Sequence, residues 1–212
     1  REELAEFLPE DGTAHGFDNV GEALDLSSVH LERYMDAARR AIDAAIRRGP
    51  MPESSQSTHS LADGDGEDRI GKHWHQADDG AVVLFNNGFP RAEVDGFRTD
   101  AEGKYRVKIT GYAYQSDAPV AFELWQGNFN RGGHTEKVGT YAFAPGEPRS
   151  REVEIWMKEH AKFLIQPQLD VDRSALREKG PSGYPGKGLA IASIEVEGPI
   201  YDAWPGRGHE LL

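Results

Sequence analysis

Residues 103–127 of this 212-residue chain read GKYRVKITGYAYQSDAPVAFELWQG, and this stretch determines the fold class. Apolar and polar residues alternate in both halves, which is the pattern of a strand that buries one face. A short polar turn at residues 115–117 separates the halves. The stretch therefore predicts two β-strands, with residues such as Val107 and Phe122 facing a core.

The opposite, solvent-facing side of these strands carries large aromatic side chains, which need a reason to face water. Stacking against a ligand is one such reason, since flat aromatic faces stack on the C–H groups of sugar rings. Carboxylate and guanidinium groups beside them would bond the sugar hydroxyls. The candidate ligand-binding residues are Arg106, Tyr112, Tyr114, Glu123, Trp125 and Trp156.

Burial is the alternative explanation for these aromatics. They would then pack under the helix near the start of the chain, whose apolar stripe needs a partner. Gly111 offers a further alternative, because a break there would shift the register of the strand and turn Tyr112 inward.

The remainder of the chain from residue 81 adds further short alternating segments, separated by turn residues such as Asn87-Gly88 and Pro145-Gly146. No long helix intervenes, so the chain is predicted to be mainly β: an antiparallel jelly-roll β-sandwich. The predicted strands are 81–86, 91–97, 103–114, 119–126, 138–144, 151–158, 162–169 and 188–196.

Outside the strands, the sequence predicts four further features. Residues 1–49 form a helical segment, whose helix begins near Ser27 and ends before Gly49-Pro50. Residues 50–72 are rich in Pro, Ser, Gly and acidic residues and predict a linker. The sandwich then spans 73–201. It includes a Gly/Pro-rich insert at 170–187, which contains a short helical turn. A tail covers 202–212.

Composition excludes several classes of function. The net charge of −12 argues against nucleic acid, whose phosphates require clustered Lys and Arg. The absence of Cys excludes disulfides, thiolate metal sites and haem attachment in this stretch of chain. No apolar run is long enough to span a bilayer. The start at Arg1, without Met or a signal peptide, indicates a part excised from a longer protein.

Metal sites and catalysis are only weakly indicated. The acidic run at 63–68 misses the spacing of a calcium-binding loop, although a structural calcium ion in the sandwich is left open. His73 and His75 could bind a metal only with well-placed further ligands. Glu123 with Glu152 or Glu154 could form a glycosidase pair only across a cleft, and no G-x-S-x-G motif is present.

Several motifs together resemble one family of proteins. They are DGTAHGFDN at 11–19 with Leu26-Ser27, LERY at 31–34, YAYQSDAPV at 112–120, PGEPR at 145–149 and EVEGPIYDAWP at 195–205. The resemblance is to large multidomain planctomycete proteins that are linked to cytochrome c and have no known function. These proteins combine a short helical domain with an inserted β-domain similar to carbohydrate-binding modules.

The resemblance implies a periplasmic or extracellular location, with haem only in other domains of the same polypeptide. Together with the aromatics, it favours a noncatalytic module that binds a polysaccharide or similar extracellular ligand. The alternative is a structural module that docks the other domains and has no ligand of its own. No cofactor is expected within this stretch of chain. Nucleic acid is not expected as a partner, and no membrane-spanning segment is expected.

Overall fold

The computed structural model describes residues 28–45, 49–85 and 90–204. These residues belong to two units, which are described separately. The larger unit spans residues 52–200. The described residues of the smaller unit are the helix α1 (Ser28–Ala45), residues 49–51 and residues 201–204. The motif at 11–19 and the predicted helix cap at Ser27 lie outside the described residues.

Helix α1 forms where apolar residues recur every three or four positions, as the sequence predicts. Its apolar stripe is nevertheless largely open to solvent. Val29, Leu31 and Met35 are each more than half exposed, whereas Ala37 is buried. Much of the apolar surface of the helix is therefore exposed to solvent.

Ten β-strands lie among the described residues of the larger unit. They are β1 (Ser55–His59), β2 (His75–Gln76), β3 (Val82–Leu84), β4 (Ala92–Glu93), β5 (Gly103–Tyr114), β6 (Val120–Gly127), β7 (Thr135–Phe143), β8 (Arg149–Met157), β9 (Lys162–Pro167) and β10 (Gly188–Ile200). Every named pairing between them is antiparallel.

The strands form two sheets with jelly-roll topology. The first sheet has the order β2-β3-β10-β5-β8, and β1 also pairs with β10; the second has the order β4-β9-β6-β7. From β3 onward the chain crosses between the sheets at every connection except that between β6 and β7, so that sequence neighbours such as β5 and β6 lie in different sheets. This order is that of two Greek keys folded into an eight-stranded jelly roll. The predicted mainly-β sandwich is confirmed.

The core lies between the two sheets and is built from alternate residues of each strand. Burial alternates along the whole of β5, without interruption at Gly111, and along the whole of β6. Phe122 stacks on Phe143 with ring centroids 5.2 Å apart, and Phe97 stacks on Phe163 at 5.0 Å. Tyr112 therefore stays on the outer side of the sheet.

The segment 50–72, which its composition predicts to be a linker, contributes to the sandwich. It contains β1, which pairs with β10, and a 3₁₀-helix (Gly64–Arg69). Leu61 between them is only 1% exposed and belongs to the core. The composition is misleading because β1 is a polar, largely exposed strand, whose contribution is mainly backbone hydrogen bonding.

The insert at 170–187 forms the helix α2 (Arg173–Gly183), with a kink at Gly180. Asp172 caps this helix, since its Oδ1 accepts hydrogen bonds from the backbone N–H groups of Ser174 and Ala175, each at 3.0 Å. Tyr184 follows the helix and packs on Phe85 of the chain after β3 with ring centroids 5.2 Å apart. Part of the outer face of the first sheet is thereby covered.

The role of Leu61 can be tested by substitution. Leu61→Ala should lower the free energy of unfolding by about 2–5 kcal/mol, because it removes a buried side chain and leaves a cavity. Urea denaturation followed by circular dichroism measures this loss. Thr58→Ala in exposed β1 is the matched control and should change stability by less than about 0.5 kcal/mol. Equal stability of the two variants would contradict a structural role for this segment.

Candidate functional site

The six candidate residues are divided between the outer faces of the two sheets. The first sheet carries Arg106, Tyr112 and Tyr114 on β5 and Trp156 on β8, whereas the second sheet carries Glu123 and Trp125 on β6. All six alternate with buried residues along their strands. They do not share one face, because the chain crosses from one sheet to the other between β5 and β6.

Tyr112 and Tyr114 belong to a second hydrophobic cluster on the outer face of the first sheet, next to the insert. They pack against a group that includes Phe85 and Tyr184, and the rings of Tyr114 and Phe85 meet edge to face at 6.3 Å. Burial, together with a hydrogen bond to Asp79, raises the pKa of Tyr112 to about 12. These tyrosines thus have packing partners, which come from the insert and the chain after β3.

Arg106 lies in an ion-pair ladder across three strands of the first sheet. Its guanidinium donates to Glu197 Oε2 at 2.8 Å and to Glu154 Oε1 at 3.2 Å, and its Nε lies 3.5 Å from Glu152 Oε1. The hydrogen bond to Glu154 first, and Glu197 second, raise the pKa of Arg106. On β5, Lys108 continues the ladder through Glu195 at 2.8 Å.

Trp125 and Glu123 form the best-defined polar–aromatic pair on the second sheet. The indole Nε1 of Trp125 donates to Glu123 Oε2 at 3.0 Å. The other oxygen of Glu123 accepts a 2.6 Å bond from Lys137 Nζ. These bonds, from Lys137 first and Trp125 second, lower the pKa of Glu123. The carboxylate is thus ionised at neutral pH and fixes the edge of the indole ring.

Neighbouring strands complete this surface with residues that the sequence analysis did not select. Lys137 of β7 lies opposite Trp125, and Leu164 of β9, which is buried, lies opposite it on the other side. Gln166 of β9 lies opposite Glu123. No local signal marks these residues, because their positions depend on strand register and on an irregularity after Leu124 in the β6–β7 pairing. We call Trp125, Glu123, Lys137, Leu164 and Gln166 the Trp125 surface.

The margin of the Trp125 surface carries a further charged and aromatic group. Glu93 of β4 lies opposite Leu164, and its Oε1 is 3.6 Å from Nε of Arg91. Arg91 also donates to the backbone oxygen of Phe129 at 3.4 Å, and its guanidinium carbon lies 6.0 Å from the centre of the Phe129 ring. The loop after β6 is thereby tied to the edge of the sheet.

Two further observations concern metal ligands and helix length in the described residues. In residues 28–45, 49–85 and 90–204, no group of three or more His, Asp or Glu side chains is placed to hold a metal ion. The helices in the same ranges include none that is long and apolar enough to cross a membrane.

Comparison with known proteins gives one family match. The family model described as PSD3, a protein of unknown function (DUF1587), matches residues 1–47, which is less than a quarter of the chain. No curated protein matches the chain.

Solved structures with a related fold include carbohydrate-binding modules. The CBM36-1 domain of a multidomain xylanase from the hindgut metagenome of Trinervitermes trinervoides is 12% identical, with a TM-score of 0.46 over 69% of this chain and 100% of that one. The CBM22-1 xylan-binding domain of Paenibacillus barcinonensis Xyn10C is 6% identical, with a TM-score of 0.39 over 72% and 99%. Eiger TNF from S. frugiperda is 12% identical, with a TM-score of 0.32 over 76% and 94%. These low scores support no functional conclusion.

The hydrogen bonds of Glu123 lead to a prediction about its titration. Lys137→Met should raise the pKa of Glu123 towards its usual value, because it removes the strongest interaction with the ionised carboxylate. In the wild type, the stabilisation by Glu123 is present above the pKa of the unfolded chain and is lost as the pH falls through the lower folded pKa. Carboxyl carbon shifts measured by NMR between acid and neutral pH report this midpoint.

Lys162→Met is the matched control, because Lys162 pairs with Asp95 at 3.4 Å and not with Glu123. It should leave the Glu123 midpoint unchanged. An unchanged midpoint in Lys137→Met would show that the Lys137–Glu123 bond does not persist in solution.

Proposed function

We propose that residues 52–200 form a noncatalytic carbohydrate-binding module, which binds neutral polysaccharide on the Trp125 surface. The observation that carries this proposal is the fixed indole of Trp125 on the outer face of the second sheet. Its Nε1 is held by Glu123, and Glu123 is held by Lys137. A platform that is already ordered loses little conformational entropy when a sugar ring stacks on it.

The polar groups of this surface suit a ligand that carries many hydroxyls. The carboxylate of Glu123 keeps acceptor capacity beyond its two bonds, and the Gln166 amide offers both donors and an acceptor. Lys137 and Glu123 compensate each other's charge. With an overall charge of −12, the chain favours neutral over anionic polymers.

The electrostatics of Glu123 argue against a role as the general acid of a glycosidase. A glycosidase needs one carboxyl with a raised pKa to act as the general acid. The pKa of Glu123 is shifted in the opposite direction, because Lys137 and Trp125 stabilise its ionised form. We therefore assign Glu123 a role in orienting the indole and in accepting hydroxyl groups.

As part of the same proposal, the module belongs to an exported multidomain protein of the planctomycete kind that the sequence resembles. The location would be periplasmic or extracellular, and the partners would include other domains of the same polypeptide, among them a cytochrome-c-like domain. The match of residues 1–47 to a family of unknown function supports a separate N-terminal part. It does not bear on the ligand of the sandwich.

A structural role in docking other domains is the second candidate function. The apolar stripe of α1 favours it, because Val29, Leu31 and Met35 are largely exposed. This role concerns the smaller unit, so it is compatible with carbohydrate binding by the sandwich. If docking is the only function, the sandwich should bind no polysaccharide.

Native affinity electrophoresis tests the proposed function. The gels contain xylan, glucomannan, hydroxyethylcellulose or, as an anionic comparison, polygalacturonate. We expect at least one neutral polymer to retard the wild type, and Trp125→Ala to weaken this binding by about tenfold or more, which corresponds to about 1.4 kcal/mol. Trp125→Phe should retain part of the binding, because it keeps a ring but loses the bond to Glu123.

Tyr34→Ala is the control, because it removes an exposed aromatic of α1, which does not belong to the unit 52–200. It should bind like the wild type. Retardation of the Trp125→Ala variant equal to that of the wild type would exclude the Trp125 surface as the site.

A further inference from the structure

We propose that the sandwich has a second polysaccharide site around Trp156, on the outer face of the first sheet, so that one molecule holds two glycan chains. The class of ligand rests on the proposed function. The position and separateness of the second site come from observations on the first sheet alone.

Trp156 is unusual among the side chains of the sandwich. Of the large apolar residues described within 52–200, it is the only exposed one, at 49%. Its indole Nε1 donates to Glu102 Oε1 at 2.9 Å. One edge of the ring is therefore fixed by a carboxylate, as in Trp125, while much of the ring surface remains open to solvent.

A strip of polar groups extends from Trp156 along the first sheet. Lys104 of β5 lies opposite Trp156, and Arg106 follows two residues later, about 7 Å along the strand. Beyond Lys104 the surface forms a shallow depression of about 270 Å³. Its polar lining consists of Gln56, Arg106, Lys108, Glu152, Glu195 and Glu197. A chain stacked on Trp156 would thus meet hydrogen-bonding groups along its length.

The charges of this strip select a neutral ligand. The cations of β5 are already paired: Lys104 lies 3.8 Å from Glu154, Arg106 contacts three carboxylates and Lys108 contacts Glu195. An anionic polymer would have to displace these carboxylates. The hydroxyls of a neutral polymer can donate to the remaining lone pairs of the carboxylates without breaking an ion pair.

A buried glutamine shows how the two tryptophans are related in space. Gln126 follows Trp125 on β6, is only 8% exposed, and donates from Nε2 to the backbone oxygen of Trp156 at 3.1 Å. The two tryptophans therefore lie at the same end of the sandwich, on opposite outer faces. Since packed sheets are about 10 Å apart, one sugar ring cannot stack on both indoles. Each indole therefore requires a sugar ring of its own.

Cross-linking of soluble polymer by the full chain tests this inference. Xylan, glucomannan and hydroxyethylcellulose are titrated with protein shown to be monomeric by sedimentation, and light scattering measures the size of the complexes. The wild type should form large complexes near equivalence. Trp156→Ala should still be retarded in affinity gels, yet its scattering should remain at the level of polymer alone.

A second measurement locates the contact directly and does not depend on a variant that folds. In ¹H–¹⁵N spectra, the indole N–H signals of both Trp125 and Trp156 should shift on addition of xylohexaose or cellohexaose. The signal of Trp74, which is 2% exposed in the core, should not shift. Circular dichroism verifies that Trp156→Ala remains folded.

The outcomes separate the two proposals. Cross-linking by Trp156→Ala equal to that of the wild type, with no shift of the Trp156 signal, overturns the second site and leaves the Trp125 surface intact. Loss of all binding in Trp156→Ala, with normal binding in Trp125→Ala, supports the Trp156 site and overturns the Trp125 surface. Absence of binding to every polymer overturns both.

Discussion

The pairing of β5 with β10 on one side and β8 on the other is the constraint on which the rest of the sandwich depends. It requires a very close approach of the strands at Gly111, where a Cβ atom would lie 2.3 Å from the backbone oxygen of Ala190. The same Cβ would lie 3.0 Å from the ring of Phe143 in the opposite sheet. Glycine at this position therefore allows both the first sheet and the contact between the sheets. Because burial alternates along β5 without interruption, its outer residues lie in a single row.

That row shows how one strand serves two physical purposes. At one end, Tyr112 and Tyr114 pack with residues of the insert and of the chain after β3. In the middle, Arg106 and Lys108 bind carboxylates from both neighbouring strands. Ion pairs at this degree of exposure contribute little to stability. Their clearer effect is to keep charged groups on a long open face, which makes burial of that face against an apolar surface costly.

Sequence alone could predict which residues of each strand point outward, because alternation is a local property. It could not predict which outward residues share a face, because that depends on the order of strands. Tyr114 and Glu123 are close in sequence, yet the crossing between sheets places them on opposite sides of the molecule. Lys137 and Gln166 were missed for the same reason, since only the register of β7 and β9 brings them beside Trp125 and Glu123.

Composition was least informative where a segment is polar but structured. The residues of β1 are Ser, Gln, Ser, Thr and His, a composition typical of a loop, and they pair with β10 through their backbone. The signal that the sequence did contain was Leu61, an isolated apolar residue in a polar stretch. Such a residue is informative because a solvated linker gains no stability from an apolar side chain, whereas the edge of a core is stabilised by burying one.

The two exposed faces of the sandwich follow one physical rule. A partly exposed indole lacks the hydrophobic stabilisation that full burial would give. If a hydrogen bond also fixes its edge, the side chain loses much of its conformational entropy. Trp125 and Trp156 are both held by a carboxylate on Nε1, and Trp156 is also about half exposed. Trp156 is the more exposed of the two, so more of its ring is available for a sugar ring to stack on.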